Sequence, residues 1–331
     1  MIRKLKIILV LVVVPISFFV VKAVGEQDDL EQAANVGDQV INQSFAQVQA
    51  DGANQDSSKV LAEHYVSTSP NFLTNIHCGE DVSLSARLAL VRFLNDNNRI
   101  YELNVNSHWP LASITKLVTA LVAEENFDLK KTVTITDQMV LAEGEAGGFK
   151  TGEVFRAEDL IKAMLMLSSN DAAEALAQDF SRDEFIGLMN KKVAELGLGE
   201  TMFFDPTGLS PKNQSTPNDI FKIVSYIYEN RPDILKITTY KADYITDLNS
   251  KKKRKILNIN EFAGQSDFIG GKTGFIDEAQ GNLVSVFSVK KEPVTIVVLG
   301  SQDRFGETKK LLQCVQNPDV QDDSEYFDVK F

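Results

Sequence analysis

The strand-forming runs of this sequence are divided between two places. Ser85–Leu94 and Ile100–Leu103 read as two strands around the turn residues Asn95-Asp-Asn-Asn98. The pattern returns to strands in earnest only from Phe268, in Gly271–Phe275, Leu283–Val289 and Val294–Leu299. Between them only Thr132-Val-Thr-Ile135 looks like a short strand. One-face helical periodicity marks Leu111–Glu124, Ala157–Leu167, Asp171–Phe180, Glu184–Leu196 and Thr216–Asn230, and Arg304–Val315 adds a closing helix. Strands at both ends with helices between predict an α+β domain, its sheet built from both chain ends and a helical block inserted.

The helix that opens this block carries chemistry. In Leu111-Ala-Ser-Ile-Thr-Lys-Leu-Val-Thr-Ala-Leu121, the apolar residues Leu117, Val118, Leu121 and Val122 share a face. Ser113 and Lys116 are then expected in the first turn, as neighbours three residues apart. A serine hydroxyl needs a base to become a nucleophile, and a lysine of lowered pKa can supply one. The helix N-terminus would add N–H groups for an oxyanion. Ser-x-x-Lys alone is weak, since the chain also has Ser250–Lys253 and Ser288–Lys291. The former sits in the charge run Ser250–Lys255, read as solvated surface. The latter ends an apolar run where alternation exposes the lysines.

Charge narrows the partners. The formal net charge is −12, and the first 24 residues hold four basic residues and no acid, so the rest carries −16. That disfavours nucleic acid and anionic lipid as partners of the folded part. Three histidines and two cysteines form no metal-ligand pattern, so no metal or cofactor is expected. The basic start Met1–Lys6 and the apolar run Ile7–Val21 read as a signal peptide, or an N-terminal membrane anchor, over residues 1–24. Either reading exports the chain to the cell envelope. Residues 25–75 are acidic and rich in Gln and Asn, a linker with helical pieces around Asp38–Ala50; residues 317–331 are an acidic tail. The folded domain is expected over 76–316.

Two further motifs follow in order. Ser168-Ser-Asn170 stands where two helical patterns meet, which suits either a helix cap or a hydroxyl and amide turned into a cleft. Lys-Thr-Gly occurs at Lys150 and at Lys272; only the second heads a strand, where it can offer a charge, a hydroxyl and backbone N–H groups to one side of a substrate.

Ser-x-x-Lys, Ser-x-Asn and Lys-Thr-Gly in this order resemble the serine β-lactamase/DD-peptidase superfamily. The chain is more closely similar to the D-alanyl-D-alanine carboxypeptidases and endopeptidases, the low-molecular-mass penicillin-binding proteins. Ser169-Asn-Asp-Ala-Ala173, Leu188-Met-Asn190, Asp205-Pro-Thr-Gly-Leu209 and Gly271-Lys-Thr-Gly-Phe275 extend the likeness. The resemblance implies a β-lactamase/DD-peptidase-like fold with an antiparallel sheet flanked by helices. It implies Ser113 as acylated nucleophile, Lys116 as its base, Ser168 as proton relay to the leaving amine and Asn170 as a holder of substrate backbone. Lys272 and Thr273 would bind the terminal carboxylate, with Lys272 helping to keep Lys116 neutral. The Ser113 and Phe275 N–H groups, beside Gly274, would form the oxyanion hole. Peptidoglycan stem peptides ending in D-Ala-D-Ala are the implied substrates and β-lactams the implied covalent inhibitors.

The sequence departs from the family at Ser169, where Gly is usual, and at Ile276, where Thr is common. It ends soon after the last helix, so any membrane attachment is expected at the N-terminus. Rival readings are a DD-endopeptidase of crosslinks, a class A-like β-lactamase, and a pseudoenzyme that binds stem peptides without cleaving them. The β-lactamase reading wants a Glu-x-x-Leu-Asn pattern between the second and third motifs, and none occurs. In the family fold the first and last segments pack together, which makes Cys78 and Cys314 a disulfide candidate in an oxidising compartment; two buried free thiols are the alternative.

Overall fold

The computed structural model describes Cys78, residues 82–95 and 99–141, Gly144, and residues 147–317. The readings for 1–24 and 25–75, and the tail beyond Asn317, lie outside the described residues. Along the chain run β1 (Leu88–Phe93), β2 (Arg99–Leu103), β3 (Trp109–Pro110), a 3-10 turn (Ala112–Thr115) and α1 (Lys116–Asn126). Next come β4 (Thr132–Thr134), β5 (Val154–Arg156), α2 (Ala157–Met166), α3 (Asn170–Phe180), α4 (Arg182–Glu195), β6 (Gln214–Ser215), α5 (Pro217–Asn230) and α6 (Pro232–Ile237). β7 (Ala242–Thr246), β8 (Lys253–Leu257), β9 (Phe268–Ile276), β10 (Gln280–Val289), β11 (Glu292–Ser301) and α7 (Arg304–Gln316) complete the described part.

The main sheet has the order β2-β1-β11-β10-β9 and is antiparallel throughout. β1, from the start of the domain, inserts beside β11, from its end, with Leu88 opposite Leu299 and Phe93 opposite Val294. The α+β architecture expected from the divided strand runs is therefore the one observed. Period-2 alternation sends successive residues to opposite faces. Leu88, Leu90, Val297 and Leu299 pack with the helical block. Ala89, Val91, Phe93, Ile296 and Val298 pack with Leu311 and Val315 of α7. Both faces are covered, so these strands are apolar at nearly every position. Each fully buried Leu, Val, Ile or Phe contributes about 1.5–3 kcal/mol.

Cys78 and Cys314 are joined by a disulfide, with Cα atoms 5.6 Å apart. It ties the segment before β1 to α7 across 236 residues of sequence. In the chain-entropy model a loop of that size stabilises by about 5 kcal/mol.

Several short elements go beyond the sequence reading, β8 and α6 among them. The Ser250–Lys255 run is not merely solvated: its second half is strand β8, paired with β7. Arg254 and Ile256 turn inward, and Arg254 bonds Glu153 at 2.7 Å and the Gly147 carbonyl at 2.6 Å. The cation is satisfied by partners a hundred residues away, which no local pattern shows. α6 is six residues long, too short for periodicity to register.

Candidate active site

Ser113 does not lie in the first turn of the α-helix. It sits one step earlier, on the 3-10 turn, and α1 starts at Lys116. The entry is strained: Ala112 has a left-handed φ of 48°. Two glycines explain how it is held. A Cβ on Gly208 would fall 1.9 Å from the Ala112 carbonyl oxygen, and one on Gly274 would fall 3.0 Å from the Leu111 oxygen and 3.1 Å from the Ser113 nitrogen. Strand β9 and the 208 loop thus approach the turn from two sides; only glycine fits at 208, and at 274 a Cβ would crowd the turn.

Lys116 is fully buried. Its Nζ donates to Ser113 Oγ at 2.8 Å, to Asn170 Oδ1 at 2.6 Å and to the Thr207 carbonyl at 2.6 Å. Burial pushes its pKa down to about 7, against the opposing pull of the Asp205 and Glu174 carboxylates. An amine of that pKa is half in its free-base form near neutral pH.

The Ser168–Asn170 break divides its labour. Ser169 is the cap, its hydroxyl accepting from the Ala172 N–H at 3.2 Å. Ser168 has φ 61° and Asn170 is the first residue of α3. Freed from capping, both side chains reach lysines: Asn170 meets Lys116, and Ser168 Oγ accepts from Lys272 Nζ at 2.8 Å. Lys272 is 1% exposed and also donates to the Thr273 carbonyl at 2.9 Å. Its pKa is held well below the usual lysine range, chiefly by burial and further by the Lys116 and Arg304 charges. Burial lowers the pKa of both lysines, and the two amines repel each other's charged form, an effect that adds to burial at Lys272.

Thr273 and Gly274 are buried in β9, while the Phe275 ring is exposed. Lys150-Thr-Gly152 is elsewhere, in the loop before β5, where Thr151 donates to Asp137 at 2.6 Å. The structure therefore forms two hydrogen-bonded groups, Ser113–Lys116–Asn170 and Ser168–Lys272, with Gly274 against the Ser113 turn, and leaves the first Lys-Thr-Gly out.

A family model for D-alanyl-D-alanine carboxypeptidases matches residues 76–303. The chain belongs to the D-alanyl-D-alanine carboxypeptidase family. A D-alanyl-D-alanine endopeptidase of Haemophilus influenzae is 35% identical over 210 residues, 61% of this chain and 71% of the relative. A D-alanyl-D-alanine carboxypeptidase structure from Mycobacterium tuberculosis aligns with TM-score 0.66 at 26% identity, covering 75% of this chain and 98% of that one. The ampicillin-bound penicillin-binding protein D2 of Listeria monocytogenes aligns with TM-score 0.62 at 28% identity, covering 70% and 97%. The family and the fold read from the sequence are thus borne out.

This carboxypeptidase-family site also contains residues the sequence reading missed. Asp205 Oδ1 accepts from the Thr207 N–H at 2.7 Å, the Thr207 hydroxyl at 2.6 Å and the Gly208 N–H at 2.7 Å. That turn aims the Thr207 carbonyl at Lys116. Asn282, buried on β10 opposite Gly274, donates to the Pro110 and Leu111 carbonyls at 2.8 and 3.1 Å and accepts from the Gly300 N–H at 3.0 Å. It pins the approach to Ser113 onto the sheet. Arg304 donates to the Gly274 carbonyl at 2.7 Å and adds a second cation beside Lys272. The signal for the first was Asp205-Pro-Thr-Gly208 itself, a turn sequence; Asn282 and Arg304 had none.

Proposed function

We propose that this protein is a serine-type D-alanyl-D-alanine carboxypeptidase that trims peptidoglycan stem peptides through an acyl-enzyme on Ser113. The observation that carries the reading is the buried Lys116 amine, 2.8 Å from Ser113 Oγ, with a pKa near neutrality. Lys116 takes the Ser113 proton as Oγ attacks the penultimate D-Ala carbonyl. The Ser113 and Phe275 N–H groups receive the oxyanion. Ser168, joined to Lys272, passes a proton to the leaving amine, while Asn170 holds substrate backbone. Lys272 and Thr273 bind the terminal carboxylate, a cationic spot in an acidic protein. D-Alanine leaves, and water activated by Lys116 hydrolyses the ester. β-Lactams acylate the same serine and stay.

Asp205 is committed to its turn, and Glu174 is paired with Arg182 at 2.9 Å. Neither carboxylate is disposed to activate a deacylating water, which favours the peptidase over the β-lactamase reading. Peptidoglycan lies outside the cytoplasmic membrane, so the enzyme acts in the cell envelope; the basic and apolar N-terminus supports export, with or without a retained anchor.

A DD-endopeptidase reading is favoured by the Haemophilus influenzae relative. A crosslink's leaving amine also stands beside a carboxylate, so the same Lys272 and Thr273 would serve. The deciding experiment supplies the full chain with a stem pentapeptide and with a crosslinked muropeptide. D-Alanine release that disappears in Ser113→Ala is expected. Cleavage of the crosslink alone turns the assignment to endopeptidase, and no turnover of either overturns both.

A further inference from the structure

The β7–β8 hairpin has two unlike faces. Antiparallel register pairs Ala242 with Leu257, Tyr244 with Lys255 and Thr246 with Lys253 on one face, and Asp243 with Ile256 and Ile245 with Arg254 on the other. The second face is built into the domain: Ile245 and Ile256 are buried, Asp243 pairs with Lys162 at 3.2 Å, and Arg254 with Glu153. Among the described residues nothing covers the first face. Tyr244 is 53% exposed and Leu257 58%, and just beyond the ladder's open end Ile259 is 48% exposed. Lys253 and Lys255 are exposed between them, with Lys251 and Lys252 in the turn and Lys241 beside the base.

The turn is held in place. The Asp247 carboxylate accepts from the Asn249 N–H at 3.1 Å, the Ser250 N–H at 3.1 Å and the Val154 N–H at 3.0 Å. Its charge is spent inside the turn, and Asp243 is spent on Lys162. Five exposed lysines thus stand on one hairpin with no acid on the same face, in a chain whose net charge is −12.

We infer that this face docks the enzyme on an anionic phospholipid bilayer. The lysines meet the headgroup phosphates, and Tyr244, Leu257 and Ile259 enter the interface between them. The pairing of cations with exposed aromatic and aliphatic groups is what separates a bilayer from a soluble polyanion. Aromatic side chains favour the headgroup level, and clustered lysines are attracted to anionic leaflets. A wall polyphosphate would use the lysines and leave the apolar residues without a role. Total charge disfavours anionic lipid as a partner, but it is the local placement of charge on this hairpin that the inference rests on. The hairpin base is tied to the segments that carry Ser168 and Lys272: the Ile259 N–H donates to the Met166 carbonyl at 3.0 Å, two residues before Ser168. Thr238, whose carbonyl accepts from Asn258 Nδ2 at 2.8 Å, bonds the Gly271 N–H at 2.9 Å, next to Lys272. Docking here would fix how the cleft is held relative to the membrane.

The test uses the full chain, so that the N-terminal segment is constant. Wild type and a K251Q/K252Q/K253Q/K255Q variant are co-sedimented with phosphatidylglycerol–phosphatidylcholine vesicles and with pure phosphatidylcholine vesicles. Fluorescent penicillin labelling checks that both remain folded. At least a tenfold loss of binding to the anionic vesicles is expected in the variant, with labelling unchanged. A Tyr244→Trp variant reads the site locally: brominated lipid should quench its added fluorescence above the Trp109 background. Equal vesicle binding by wild type and the lysine variant overturns the inference. So does an unquenched Trp at 244, or lysine-dependent binding to a teichoic-acid-type polyphosphate without binding to vesicles.

Discussion

Lys272 Nζ and Ser168 Oγ lie 2.8 Å apart, though 104 residues separate them in sequence. The bond joins strand β9 to the break between α2 and α3. It sets the Lys272 amine on the hydroxyl proposed to deliver a proton, and Lys116 keeps its own bonds with Ser113, Asn170 and Thr207.

The rate of acylation should rise with pH through about 7, the pKa of Lys116, and level off above it. Below that value the amine is protonated and the rate should fall about tenfold per pH unit. Stability should move the same way. The folded pKa is depressed, so the unfolded chain binds more protons between about 7 and the ordinary value of 10.5, and this group's destabilising burial is relieved as pH rises through that window. Stopped-flow acylation by benzylpenicillin from pH 5 to 9 checks the first point; a flat profile with chemistry rate-limiting counts against Lys116 as base. Lys116→Arg should be inactive at every pH.

Thr273→Val should lower kcat/KM for substrates with a free terminal carboxylate by about ten- to a hundredfold, the worth of one hydrogen bond to a charged group. Thr151→Val should be nearly silent, because Thr151 bonds only the exposed Asp137 in a remote loop. Steady-state assays on the two variants decide it, and the opposite ranking would assign the motif to Lys150.

Asn282→Ala should damage stability and acylation together. It removes the amide that bonds the half-buried Pro110 carbonyl, the Leu111 carbonyl and the Gly300 N–H, at a cost of about 3 kcal/mol. The freed 3-10 turn should then misplace Ser113. Urea unfolding and penicillin acylation measure the two effects; loss of stability with an unchanged acylation rate would limit Asn282 to packing.

Replacing both Cys78 and Cys314 with Ser should cost about 2–5 kcal/mol of stability and leave acylation intact at low temperature. Cys314 lies nearly three turns along α7 from Arg304, about 15 Å from the residue that touches β9. Alkylation of the exported wild-type protein under denaturing, non-reducing conditions should modify neither cysteine; two modified thiols would mean that the bond does not form in the host.

What the sequence determined by itself was the order of elements and the identity of the main chemical groups. The apolar runs at Leu88–Phe93 and Val294–Leu299 are local and strong, so a sheet closed from both ends was legible. Ser113, Lys116, Ser168, Asn170 and Lys272 could be named because each sits in a short motif whose order along the chain carries meaning. The short α6 and the charged β8 were not legible: the first is a single turn and a half, and the second draws its stability from Glu153 and Gly147 far back in the chain. Only the tertiary structure decided where Ser113 stands and how its base is tuned. Two distant backbones stand against the 3-10 turn at Ala112 and Ser113, and Gly208 and Gly274 leave room for that approach. The Lys116 pKa falls because packing removes water from the amine. Thr207, Asn282 and Arg304 join the site through register and close approach across long separations, and no spacing within a motif encodes a contact of that kind.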